Sequence, residues 1–174
     1  MARRFRGESH HKVDAKGRVS IPALFRRVLE AGDPDWRAAA AEGRKDVRPQ
    51  LVIVYGGENQ KYLECYTIDA IDEVDAEIDA MPRGSPERRL LEHLFHGQSL
   101  PTEVDRDGRL VLPQKLREKI GLEGEAFFIA SGDTFKIWKP ETYERVELAK
   151  TRAFLAEQPD DFDPLSLLGR AKGE

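Results

Sequence analysis

Two copies of one sequence unit make up most of this 174-residue chain. The segment 14–26, DAKGRVSIPALFR, recurs as 105–117, DRDGRLVLPQKLR, at a constant spacing of 91 residues. Five positions are identical between the copies: the Asp, the Gly, the Arg that follows it, the Pro and the last Arg. Upstream, residues 5–9 (FRGES) align with residues 95–99 (FHGQS) at a spacing of 90. An internal repeat restricts the fold to architectures that can be built twice from one supersecondary unit.

Each copy predicts the same order of elements. An extended segment precedes an Asp-x-x-Gly turn, in which Asp suits the first position and Gly the fourth. A short strand follows, and a proline then opens a helix, because its missing N–H would be unpaired in the first helical turn anyway. A hairpin and a closing helix complete the unit. The predicted bounds are 22–30 and 113–120 for the short helices, 51–55 with 61–66 and 126–130 with 134–138 for the hairpins, and 69–81 for the first closing helix.

The predicted fold class is α+β, with two tandem β units that form a pseudo-dimer and are each followed by helices. One unit alone has little core, and an isolated hairpin is marginally stable in water. Pairing the two units within the chain covers their exposed strand edges. Edges that stay open predict further association, and a head-to-tail contact that closes generates a ring.

The repeat also predicts the domain boundaries. We expect the first copy over 8–69 with an insertion at 32–50, a helical bridge over 70–97, the second copy over 98–141, and a C-terminal helix with an acidic tail over 142–174. In that last segment we expect Tyr143, Val146, Phe154 and Leu155 to face inward. The acidic, Pro-interrupted tail after Gln158 is expected to be loosely ordered.

Charge is distributed unevenly along the chain. The net charge is only −4, but residues 1–30 carry +5 and residues 64–80 carry −7. A local basic patch, rather than the net charge, decides whether a polyanion can dock. The acidic stretch 64–80 is as consistent with a solvated helix face that has no function of its own as with a functional surface. Membrane and disulfide-rich classes are excluded, because no apolar run approaches the ~20 residues of a membrane span and Cys65 is the only cysteine.

Signals for an enzyme are weak. The sequence has no Gly-rich phosphate loop, nucleophile elbow or two-histidine zinc helix. The pairs His10-His11 and His93-x-x-His96 lack further ligands at metal-binding spacing, which favours surface histidines. We therefore predict no catalytic activity, no metal, no cofactor and no small-molecule substrate.

The start Phe5-Arg-Gly7 and the two motifs Asp-x-x-Gly-Arg-x-x-x-Pro at 14–22 and 105–113 resemble the MraZ family. The resemblance covers about residues 5–155 and implies tandem swapped-hairpin domains of the SpoVT/AbrB type. It implies a bacterial, cytoplasmic, nucleoid-associated transcriptional regulator that forms rings. The resemblance further implies that the protein binds direct repeats in double-stranded promoter DNA and represses its own operon in the division and cell-wall gene cluster.

The resemblance also implies the DNA-binding residues. The family's Asp-x-x-x-Arg motif maps onto Asp14 and Arg18 and onto Asp105 and Arg109, with Gly17 and Gly108 completing the turns. Arginine presents a planar fork that reaches guanine O6 and N7 together or grips a phosphate. The neighbouring basic residues are expected to contact phosphates: Lys16, Lys12, Arg6, Arg4 and Arg3.

Two alternatives stay open at this point. Arg18 contacts DNA, or it forms an ion pair with Asp14 that locks the turn, and the two roles are compatible. Copy two carries Asp107 and Glu103 where copy one has lysines, so we expect copy one to be the better DNA face, with Arg109 either contacting DNA or only packing. The competing functions are an antitoxin-like protein-interaction module and a structural ring scaffold.

Overall fold

The computed structural model, which describes residues 4–169, contains eight β-strands within that range. The chain comprises two compact units, residues 1–140 and 141–174. The strands are β1 Glu8–Lys12, β2 Arg18–Ser20, β3 Gln50–Val54, β4 Tyr62–Thr67, β5 Ser99–Glu103, β6 Arg109–Val111, β7 Glu125–Ser131 and β8 Thr134–Trp138. The helices are α1 Ala23–Ala31, α2 Pro34–Ala41, α3 Ile68–Asp79, α4 Pro86–Glu92, α5 Gln114–Ile120, α6 Pro140–Thr142 and α7 Ala149–Ala156. Irregular helical turns occupy His93–Gly97, Tyr143–Leu148 and Pro164–Leu167.

The two copies exchange their first strands. Six strands form one antiparallel sheet in the order β1-β7-β8-β4-β3-β5, so β1 of copy one pairs with the hairpin of copy two. In return, β5 of copy two pairs with β3 in the hairpin of copy one. The two remaining strands, β2 and β6, pair with each other. The α+β class predicted from the sequence is confirmed, and the sheet cannot form without strands from both copies.

One hydrophobic core receives side chains from both copies. Phe25 of α1 and Phe135 of β8 are almost completely buried, and their ring centroids lie 5.0 Å apart. Phe5, which precedes β1, packs against both rings at 5.3 and 5.1 Å. Fully burying one such side chain contributes roughly 1.5–3 kcal/mol. The Phe-Arg-Gly start of the sequence therefore anchors the N-terminal strand in the shared core.

The insertion of copy one forms a capped helix. Pro34 occupies the first turn of α2, and the buried Asp33 side chain accepts hydrogen bonds from the backbone N–H groups of Asp35 and Trp36. The same carboxylate accepts from Gln50 N at 2.9 Å, at the start of β3. Asp33 therefore ties the insertion to the sheet, which the sequence pattern did not reveal.

The second compact unit departs from prediction. Tyr143 and Val146 are half-buried, but Phe154 and Leu155 on α7 are about half exposed, so their predicted inward placement is wrong. A helical stripe of apolar residues is buried only where another element packs against it, and the sequence pattern does not supply that element. Within the described part of the acidic tail, Pro164–Leu167 form a short 3-10 helix, capped by the Asp163 side chain, which accepts from Leu165 N; residues 170–174 lie outside the described residues, and loose order of the tail stays a prediction.

Candidate nucleic-acid interface

The β2–β6 pair, called here the arginine ribbon, places both motif arginines on one exposed face. Val19 and Leu110 lie opposite each other at its centre, and both are buried in the core. Side chains alternate along a strand, so the flanking positions of both strands point the other way. That outward face carries Arg18, Ser20, Arg109 and Val111. Arg18 pairs with Val111 and Arg109 with Ser20, so the two arginines share this face but lie at its opposite ends; that copy one is the better DNA face stays a prediction.

Asp14 organises the first turn (residues 14–18). Its Oδ1 atom accepts hydrogen bonds from the backbone N–H groups of Lys16 and Arg18 at 3.0 and 2.9 Å. Its Oδ2 atom accepts from Arg18 Nε at 2.6 Å, and Gly17 N donates to the Asp14 carbonyl. One carboxylate thus closes the turn and holds the guanidinium. Arg18 therefore forms the turn-locking ion pair with Asp14, and its side chain is still 38% exposed, which leaves it accessible to DNA as well.

The second turn (residues 105–109) repeats this arrangement with one addition. Asp105 accepts from the Arg109 backbone N–H at 2.9 Å and from Arg109 Nε at 3.2 Å. Arg109 also donates from Nη2 to Asp107 Oδ2 at 3.0 Å. Within residues 4–169 Arg18 has no such second acidic partner, because Lys16 stands at the position equivalent to Asp107. The two arginines are therefore positioned alike but neutralised to different degrees.

These contacts lower the pKa of both turn aspartates. For Asp14 the backbone N–H of Arg18 is the largest cause and outweighs the opposing effect of desolvation. For Asp105 desolvation raises the pKa, but hydrogen bonds from the backbone N–H groups of Arg109 and Asp107, with the nearby guanidinium, more than reverse that rise. Both carboxylates are therefore ionised at neutral pH and fit to hold an arginine.

Each turn is also fastened to the opposite copy. Leu112 N donates to the Gly17 carbonyl at 2.8 Å, and Ile21 N donates to the Gly108 carbonyl at 3.0 Å. Both glycines have a positive φ, +83° and +74°, a backbone conformation that other residues adopt only with strain. The identical glycines of the repeat are explained by this geometry.

The last arginine of the repeat has a role that sequence reasoning missed. Arg117 donates from Nε to the Leu112 carbonyl at 2.9 Å and lies against Gly17 of the other copy. Its counterpart Arg26 lies against Gly108, and its buried Nε has no hydrogen-bond partner among the described residues. The sequence signal that could have revealed this role is that the arginine is identical in the two copies. In each copy its side chain packs against the turn of the other copy.

The other predicted basic residues fall into two groups. Lys12, at the end of β1, and Lys16, in the first turn, are exposed near Arg18. Arg4 and Arg6 are exposed at the opposite end of β1, on either side of Phe5, whose N–H donates to the Gly132 carbonyl. A strand rises about 3.4 Å per residue, so the five residues of β1 separate these groups by about 17 Å. Arg3 lies outside the described residues.

Two of the four histidines lie beside a carboxylate at the surface. His10 Nδ1 is 2.6 Å from Glu125 Oε1, and His96 Nε2 is 3.0 Å from Asp75 Oδ1. Residues 4–169 contain no group of three His, Cys, Asp or Glu side chains placed to hold a metal ion. No helix in that range is both long and apolar enough to cross a bilayer.

Comparison with known proteins identifies the relatives of this chain. A family model described as "MraZ protein, putative antitoxin-like" matches residues 95–162, which include the second turn. Proteins named transcriptional regulator MraZ are 66% identical in Ruegeria sp. and 65% identical in Ruegeria pomeroyi, over 173 residues and 99% of each chain. The chain belongs to the MraZ family. A more distant member, from Gluconacetobacter diazotrophicus, is 33% identical over 150 residues, 86% of this chain and 87% of that relative.

Membership of the MraZ family accounts for both copies of the repeat. The family model covers the second copy, and the two Ruegeria relatives match almost the whole chain, including the first turn. Both Ruegeria relatives carry the name transcriptional regulator.

Proposed function

We propose that this protein is a transcriptional regulator that binds double-stranded DNA by laying the arginine ribbon in the major groove. The observation that carries the proposal is the presence of two Asp-clamped arginines on one exposed face of a two-stranded ribbon. The major groove is about 12 Å wide and admits a two-stranded β-ribbon. Arginine is the side chain best suited to guanine O6 and N7 at the groove floor.

The ion pairs with Asp14 and Asp105 fix the direction of the two arginine side chains before DNA binds. Asp14 holds Nε of Arg18, and within the described residues nothing bonds its two terminal amino groups. A side chain already fixed in direction loses less rotamer entropy on binding, so more of the contact energy appears as affinity. Asp105 prepares Arg109 in the same way.

Phosphate contacts come from the exposed basic residues around the ribbon. Lys12 and Lys16 stand next to the first turn and fit the DNA strand on that side. Arg4 and Arg6 form a second basic group that suits a more distant phosphate, and Arg3, which lies outside the described residues, is proposed as a further phosphate contact from the sequence alone. These contacts position the protein without reading sequence, and they make the affinity depend on salt.

Assembly into a ring extends this mode of binding to direct repeats. Strands β1 and β5 are the two edges of the six-stranded sheet within the described chain, and unpaired edges favour association with further copies. Several ribbons held together raise avidity by about 10²–10⁴ when successive DNA repeats match their spacing. The regulated site that suits this arrangement is the promoter of the protein's own operon in the division and cell-wall cluster, with repression as the outcome, on the nucleoid in the cytoplasm.

A gel shift with the upstream region of the protein's own gene tests the proposal. Arg18→Ala is expected to remove about 1–3 kcal/mol of binding free energy for each bound subunit, which abolishes the specific shift when several subunits act together. Arg44→Ala is the matched control, since Arg44 is also exposed and also paired with a neighbouring acid, Glu42, outside the ribbon. Unchanged affinity of the Arg18 variant at near-physiological salt contradicts the proposal.

A protein partner is the second candidate function. The second compact unit exposes five large apolar side chains, Phe154, Leu155, Leu165, Leu167 and Leu168, and the matching family model is described as antitoxin-like. Substituting all five by Ser separates the candidates. Retention of the full DNA shift by this variant supports the regulator, and absence of any shift in the unaltered protein favours the protein partner.

A further inference from the structure

The two ends of the arginine ribbon match in geometry and differ in charge. Each turn is closed by one aspartate and fastened to the other copy through equivalent backbone hydrogen bonds. The segment 12–18 around the first turn carries a net charge of +2, whereas the equivalent segment 103–109 carries −1. A ribbon with two equivalent arginines therefore has one end that attracts phosphates and one that does not.

One part of this charge difference, Asp107 in place of Lys16, contacts Arg109 directly; Glu103 in place of Lys12 and Arg106 in place of Ala15 make up the rest. Asp107 Oδ2 lies 3.0 Å from Nη2 of Arg109, and with Asp105 it places two carboxylates on one guanidinium. Asp107 is itself 71% exposed, and its side chain makes no other hydrogen bond or ion pair within residues 4–169. Its carboxylate therefore contributes to the charge and direction of Arg109 rather than to folding of the turn.

We propose that Asp107 is a specificity-determining residue that keeps Arg109 from binding phosphates indiscriminately. This inference rests on the proposed DNA-binding function. A phosphate that approaches Arg109 meets the negative charge of the Asp107 carboxylate, which already accepts from Nη2. A guanine edge offers two uncharged acceptors in the plane of the guanidinium and suffers less from that charge. Arg109 thus contributes to the complex with the correct sequence and little to complexes with other DNA.

The expected effect is moderate because the pair is exposed. Surface ion pairs are weak, so Asp107 tunes binding and does not block it. Neutralising Asp107 frees Arg109 for one further phosphate in non-specific complexes, which raises the dependence of log K on log[salt] by about one unit. In the specific complex Arg109 already occupies a base edge, so the gain there is smaller.

The test compares Asp107→Asn with the unaltered full-length protein on two duplexes of equal length. One carries the upstream region of the gene and the other a mixed sequence, and affinities are measured across about 50–200 mM salt. We expect the mixed-sequence affinity to rise about three- to tenfold, with the steeper salt dependence, and the ratio of specific to non-specific affinity to fall. Asp72→Asn, the same charge change on the exposed side of α3, is the matched control and leaves both affinities unchanged.

Two further variants assign the effect to Arg109. Adding Arg109→Ala to Asp107→Asn is expected to cancel the gain on the mixed-sequence duplex. Lys16→Asp, which gives the first turn the acid of the second, is expected to lower mixed-sequence affinity and flatten its salt dependence.

The inference is overturned if Asp107→Asn binds the mixed-sequence duplex within twofold of the unaltered protein. It is also overturned if Asp72→Asn produces the same gain, because the effect is then one of total charge. If Arg18→Ala abolishes the shift while Asp107→Asn changes nothing, only this inference fails. If Arg18→Ala binds normally, the proposed function fails.

Discussion

At the scale of single residues, Asp14 stabilises the first turn. It accepts two backbone hydrogen bonds and one guanidinium bond, and its pKa lies below the ordinary value for aspartate. A carboxyl whose pKa is depressed on folding stabilises the folded state above its unfolded pKa, and this contribution is lost as the pH falls through the folded pKa.

Replacing Asp14 by Asn is therefore expected to lower the melting temperature at neutral pH and to have a shrinking effect in acid. The gap between variant and unaltered protein closes as the pH falls below about 4, since the unaltered protein loses its own Asp14 contribution there. Thermal unfolding followed by circular dichroism between pH 2 and 7 measures the gap. Asp72→Asn serves as the control, and a gap that stays constant over this range rules out the explanation.

At the scale of elements, the turns depend on glycines with a positive φ. A Cβ on Gly17 collides with the Leu112 carbonyl oxygen, which is backbone and cannot move away, whereas a Cβ on Gly108 meets the Arg26 guanidinium, which is a flexible side-chain end. Gly43 has a similar φ, +73°, with open space around it. Comparing substitutions at these three positions therefore separates the cost of backbone strain from the cost of a collision with the added Cβ.

Alanine substitutions at these positions are expected to destabilise in the order Gly17, Gly108, Gly43. Gly43→Ala costs about 1–2 kcal/mol, from the left-handed backbone alone. Gly17→Ala costs more, because the Leu112 N–H bond to Gly17 that joins the copies must also shift. Urea unfolding gives the three values, and equal losses at Gly17 and Gly43 contradict the collision.

At the scale of the whole molecule, strand exchange joins the copies into one folding unit. Strand β1 pairs with β7, and β3 pairs with β5, so the pairing at each edge of the sheet joins a strand of one copy to a strand of the other. Cutting the chain after Gly84 leaves β1 without its partner and exposes half of the shared core.

A fragment of residues 1–84 is therefore expected to be unfolded as a monomer, or to fold only by pairing with a second copy of itself. Circular dichroism and analytical ultracentrifugation distinguish these states. Mixing it with the fragment 85–174 is the positive control and is expected to restore the folded spectrum. A folded monomer of the first fragment is the outcome that excludes obligatory exchange.

Local structure could be predicted from the sequence because its causes are local. The Asp-x-x-Gly turns, the helices that begin after Pro22 and Pro113, and the hairpin strands lie within one or two residues of their expected bounds. Turn chemistry and helix-start preferences act over a few neighbouring residues, so a short segment contains them completely. The Asp14–Arg18 pair was foreseen for the same reason, since four residues separate its partners.

Contacts between distant segments were decided by the tertiary structure. The sequence contains no local signal that β1 pairs with β7 more than a hundred residues away, that Arg109 shares an exposed face with Arg18, or that Arg26 backs the Gly108 turn. Periodicity likewise placed Phe154 and Leu155 inward, although both are about half exposed. An amphipathic pattern states which side of an element is apolar, and only the packing of other elements settles which sides meet.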